Sequence, residues 1–214
     1  PVQRGSVVAG SLLSASPTRS LDILLRRSPR LDPVAKPLQG TVHVRLHVGT
    51  RHVGARITLS APAAAGDKVV ARLQPDEPLT ALIGDRFVVR DWSQRLTLGG
   101  GEVLDPRPSG AASDEQRRTY LCRAIGDGQR PGFALAAGAE RARGALQALA
   151  ERDGLVTVSE VDQLLPEATL ELQTAASALV AEGLLIGTEE GLVETARLID
   201  LTAAAKKALD SWKP

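Results

Sequence analysis

The segment TVHVRLHVGTRHVGARITL (41–59) leaves its backbone little choice. Val42, Val44, Leu46 and Val48 alternate with His43, Arg45 and His47, which is the period of a strand with one buried and one wet face. After Gly49-Thr50, Val53, Ala55, Ile57 and Leu59 alternate with His52 and Arg56 in the same way, so the two runs predict a hairpin whose cationic residues share a face. KVVARL (68–73), DRFVVR (85–90) and LTLGGGEVL (96–104) supply three more strands, separated by turn sequences such as QPDEP. Short strands at this spacing with no helix between them favour a closed antiparallel barrel. Aromatics make up only 2% of the chain, so its cores must be packed with Leu, Val, Ile and Ala.

Beyond DPRPSGAASD (105–114), a linker-like stretch rich in Pro, Gly, Ser and Ala, the period changes. Ser113 and Gln116 form a capping box for a helix through about Ile125. AERARGALQALAERDG (139–154) reads as a second helix ended by Gly154. TVSEVDQLL and ATLELQTAASALVAEG give two more, the last closed by Gly183. LLIGTEEGLVE (184–194) is a small hairpin, and helices followed by such a hairpin make a winged helix. LTAAAKKALDSW (201–212) is helical again and opens a second, truncated copy. The fold class expected is therefore mixed: an antiparallel β-barrel followed by an α+β winged-helix domain.

Charge follows the same division. Residues 1–108 carry 15 Lys/Arg against 9 Asp/Glu, net +6, and 109–214 carry 11 against 16, net −5. All three histidines lie in the first half, and such asymmetry suggests that one half faces a polyanion. The sole cysteine, Cys122, excludes an internal disulfide and, beside Tyr120, Leu121 and Ile125, is expected to be buried. No run of about 18 apolar residues is present to span a bilayer, and no secretory signal opens the chain, which points to a cytoplasmic protein with no membrane partner. With no methionine and Pro1 at its start, the chain reads as a piece of something larger.

The glycine run Gly99, Gly100 and Gly101 invites a nucleotide site. A P-loop, however, needs a Lys and a Ser/Thr after its last glycine and then a helix, whereas EVLDP continues as strand. A bulge or barrel corner, or close approach of backbone to a ligand, remains open. No Ser or Cys nucleophile matches the histidines, so no catalytic site is expected. A zinc site from His43, His47 and His52 lacks an assured fourth ligand, and solvated strand faces are the favoured reading. His43, Arg45, His47, His52 and Arg56, with Arg86, Arg90 and Arg95 nearby in sequence, form a candidate phosphate-contacting surface. Only Phe87 and Trp92 could stack bases in this half, which favours RNA read through its backbone and 2′-hydroxyls. The presumed recognition helix, Thr169 to Glu182, has no Lys or Arg and fits a spacer or a protein contact better than a reader of bases.

RGSVVAG (4–10), VHVRLHVGTRHVGARITL (42–59), ARLQPDEPLTALIGDRFVVRD (71–91) and RLTLGGGEVLDPRP (95–108) resemble the bacterial selenocysteine-specific translation elongation factor, SelB. The resemblance implies a closing strand of a preceding barrel at 1–10, an EF-Tu domain-3-like barrel at 11–108, a winged-helix domain at 109–196 and the start of a second at 197–214. It implies delivery of selenocysteinyl-tRNA to the ribosome, with Arg45, Arg51 and Arg56 neutralising phosphates. The turn at Thr97 to Gly101 would let main chain approach the RNA. Later winged helices of the family recognise the selenocysteine insertion hairpin in mRNA. GTP and Mg belong to the GTPase domain of the intact factor, so this chain is expected to be non-enzymatic and without a cofactor of its own. The rival classes are a winged-helix transcription regulator with a barrel as effector module, and a purely structural interaction module.

Overall fold

The computed structural model describes residues 16–31, 37–108, 113–127, 129–167 and 169–211. The closing strand expected at 1–10 and part of the expected linker, 109–112, lie outside the described residues. Two compact units divide the chain, 1–108 with 163–166, and 109–162 with 167–214.

The first unit is a closed six-stranded antiparallel barrel in the order β1-β4-β3-β2-β5-β6, with β1 pairing both β4 and β6. Its strands are β1 (Leu21–Arg27), β2 (Thr41–Val48), β3 (Arg51–Leu59), β4 (Lys68–Pro75), β5 (Arg86–Arg90) and β6 (Thr97–Asp105). The alternation in 41–59 folds as expected, with Val44, Leu46, Val53, Ala55 and Ile57 in the barrel core beside Ile23, Leu25, Leu73, Phe87 and Val89. Strand β1 is the element that periodicity does not reveal. Leu21 to Leu25 are buried without a break, and a strand covered on both faces loses the alternation that marks a half-wet one. On its outward side Asp22 takes a two-pronged hydrogen bond from Arg72, at 2.9 and 3.0 Å.

The glycine run is not a turn. Gly99, Gly100 and Gly101 lie inside the nine-residue strand β6, paired with β5 on one edge and β1 on the other. Their φ angles are negative, so conformational freedom is not what requires glycine here. Proximity is: a Cβ on Gly101 would stand 1.8 Å from the Leu24 carbonyl oxygen, on Gly99 2.4 Å from that of Arg26, and on Gly100 2.6 Å from that of Phe87. Strands β1 and β5 thus press on β6 from both sides, and bulges at the registers Val89/Arg90 and Asp22/Ile23 flank the crowded stretch. The turn expected at Thr97 to Gly101 is instead made by residues 91–96, where Asp91 accepts hydrogen bonds from the Leu96 amide at 2.6 Å and from the Ser93 hydroxyl. These bonds, first from Ser93 and then from the Leu96 backbone, hold the Asp91 carboxyl below the usual carboxylate range.

The second unit carries α1 (Asp114–Ile125), α2 (Gly138–Asp153), α3 (Val158–Asp162), α4 (Thr169–Ala181) and α5 (Thr195–Ser211), with a three-stranded antiparallel sheet. The sheet runs β7-β9-β8, from Leu155–Val156, Leu192–Glu194 and Leu185–Gly187. Ser113 and Gln116 form the capping box, Ser113 Oγ accepting from the Gln116 amide at 3.2 Å and Gln116 Oε1 from the Ser113 amide at 2.8 Å. Gly154 and Gly183 follow α2 and α4 with φ of 89° and 73°, a conformation that side chains resist. Ala142, Ala145, Leu146 and Leu149 of α2 are buried, with Leu172 and Leu179 of α4 and Leu185 and Leu192 of the sheet. Cys122 is exposed, contrary to expectation, because α1 buries Tyr120, Leu121 and Ala124, a face that leaves position 122 outside. Tyr120 meets Phe133 edge-on at 5.4 Å, and the Arg152 guanidinium lies 4.6 Å from the Tyr120 ring.

Glu194, at the end of β9, has its carboxyl pushed up by burial and, after that, by the Glu151 carboxylate, with Arg123 and Arg197 pulling the other way. An acid raised in the folded state costs stability above its folded pKa and nothing below its unfolded one. Glu194→Gln is therefore expected to raise the thermal midpoint at pH 7 and to leave it unchanged near pH 4. Melting curves at the two pH values check this.

Candidate RNA-binding face

Alternation along three adjacent strands collects the cationic side chains on the outside of the barrel. On β2 these are His43, Arg45 and His47, on β3 His52 and Arg56, and on β5 Arg86 and Arg90. Register joins them across strands: His43 stands opposite Arg56, His47 opposite His52, and Arg45 opposite Arg90. The His47 and His52 rings stack with centroids 5.8 Å apart and 26° between planes. Among the described residues Arg45, Arg56, Arg86 and Arg90 make no ion pair, so their charge is available to a polyanion.

Other expected site residues are placed differently. Arg51 stands opposite Val48 rather than in the row of His52 and Arg56, and it pairs with Glu77 at 3.1 Å. Arg95 is exposed in the 91–96 turn, and Thr97 is exposed opposite Arg90. Gly99, Gly100 and Gly101 are in contact range of β1 and β5 backbone, which accounts for them without any ligand. Two residues escaped the sequence reading, Arg26 and Lys68. Arg26 is exposed and stands opposite both Lys68 and Gly100, and Trp92 is exposed at the start of the 91–96 turn. Arg26 was hidden because β1 was, and Lys68 because a lone terminal Lys carries no pattern.

Residues 27–110 match the family model described as selenocysteine-specific elongation factor, beta-barrel domain. The barrel is a SelB-type domain. A crystal structure of bacterial selenocysteine-specific elongation factor EF-Sec is similar to this chain, with a TM-score of 0.57 and 16% sequence identity over 92% of this chain and 27% of that one. At this identity the likeness is one of fold, and it runs through both the SelB-type barrel and the helix-and-sheet unit that follows it. The chain spans about a quarter of the length of that solved structure. No curated protein matched the sequence.

Among the described residues no group of three or more His, Cys, Asp or Glu side chains is placed to hold a metal ion. No helix among them is long and apolar enough to cross a membrane.

Proposed function

We propose that this chain is the part of a selenocysteine-specific elongation factor that holds selenocysteinyl-tRNA on its way to the ribosome, in the cytoplasm. The observation that carries the reading is the band of arginines and histidines on β2, β3 and β5 of a SelB-type barrel. Phosphate contacts from such a band fix the orientation of a nucleic acid without reading its bases.

The second unit is a winged helix in this reading, with α4 in the recognition position and β8 and β9 as the wing. The outward side of α4 presents Glu171, Gln173, Thr174 and Ser177, with Glu182 just beyond its end bound to Arg143. A surface without a cation suits a spacer toward mRNA-reading modules, and it disfavours the transcription regulator, which needs a basic helix in the groove. GTP with Mg serves the GTPase domain of the whole factor. The glycine run does not fit a nucleotide, since it is filled from both sides by barrel backbone.

Gel-shift titration with selenocysteine tRNA and with duplex DNA of equal charge tests the proposal. Salt-sensitive binding of the tRNA is expected. Preferential binding of the DNA through residues 169–194 would favour the transcription regulator instead.

A further inference from the structure

Trp92 stands out among the described residues of the barrel as a half-exposed aromatic within the cationic band. Its side chain is 53% exposed, yet it is held in place. The Arg45 guanidinium lies over one face of the indole, 4.4 Å from the ring centroid, the pairing in which Trp is the strongest aromatic partner. Gly54, directly opposite Arg45 on β3, makes room for this: a Cβ there would come within 3.3 Å of Trp92 Cη2.

Arg45 and Arg90 are direct cross-strand neighbours, an arrangement that like charges oppose. The Nε of each is buried and has no acceptor among the described residues. Two guanidinium groups held side by side repel, and a shared anion relieves that repulsion. The Asp76 carboxylate lies over Gly54, on the strand away from Arg90, so the positive side of the cluster is the Arg45–Arg90 side.

We propose that Trp92, Arg45 and Arg90 form a seat for one unpaired nucleotide of the bound RNA, its phosphate bridging the two arginines and its base stacked on the indole. This rests on the RNA-binding reading above and sharpens it. A single aromatic suits one bulged or junction nucleotide rather than a single-stranded tract, which needs successive platforms.

The test uses the whole chain with Trp212→Phe, which leaves Trp92 as the only tryptophan. Two RNA stems are compared, identical except that one carries a single unpaired nucleotide. That stem is expected to bind about tenfold tighter, the usual order for one stacked base, and to quench Trp92 emission. Trp92→Leu should erase the preference, and Trp92→Phe should restore most of it. Binding of both stems with equal affinity and no quenching would overturn the seat and leave the RNA-binding face standing. Binding of neither stem would remove both. The quenching readout needs no substitution in the seat, so it decides the matter even where a Trp92 variant folds poorly.

Discussion

Gly101→Ala is expected to cost about 3 kcal/mol or more and to prevent the barrel from closing at physiological temperature. The new Cβ would meet the Leu24 carbonyl oxygen at 1.8 Å, the Leu24 carbonyl carbon at 2.9 Å and Leu25 Cα at 3.3 Å. All three are backbone atoms of β1, which is itself hydrogen-bonded on its far edge to β4 and cannot step aside without opening that ladder. Gly54→Ala is the control. Its Cβ would strike Asp76 Oδ2 at 2.1 Å and come within 3.3 Å of Trp92 Cη2, but both are ends of exposed side chains, which can swing away. Denaturant unfolding should therefore show a large loss for Gly101→Ala and less than about 1 kcal/mol for Gly54→Ala. Equal losses would mean that β1 yields as readily as a side chain.

Asp22→Ala is expected to cost about 2–3 kcal/mol. Asp22 is 1% exposed and accepts both prongs of Arg72, and removing one member of such a pair strands the other. The loss stays below the 3–5 kcal/mol typical of fully buried pairs because the Arg72 side chain is 36% exposed and regains water. Since β1 pairs both β4 and β6, the damage falls on the seam that closes the barrel. Thermal unfolding of Asp22→Ala beside Arg72→Ala measures it, and the arginine should prove the costlier loss, because it strands the buried carboxylate. The reverse order would show that Asp22 stabilises through something other than this pair.

Strands β2 and β3 were legible because each has one wet face, so polar and apolar residues alternate and even the register of His43 with Arg56 follows from the two-residue turn. Strand β1 was not legible because burial on both sides erased the alternation. The glycine run was misplaced for a related reason: sequence shows that glycine permits close approach, and not which atoms approach. Here they are carbonyls of the neighbouring strands. Cys122 was misjudged from its neighbours in sequence, although a helix separates neighbours onto different faces. On the candidate RNA face, the arginines of β2, β3 and β5 could be listed from their periodicity. The Arg45–Arg90 contact and the Trp92 stack depend on β2 pairing with β5, a nonlocal choice that no local pattern encodes.

The RNA-binding role of the barrel face is tested most directly by the salt dependence of selenocysteine tRNA affinity for the intact chain and for its Arg45→Ala/Arg56→Ala variant. Each phosphate contact contributes about −0.9 to the slope of log K against log salt, somewhat less on single strands. The variant is predicted to bind about tenfold more weakly at low salt, with a slope shallower by nearly two. Equal affinity and equal slope in the two proteins would contradict the assignment of this face to RNA.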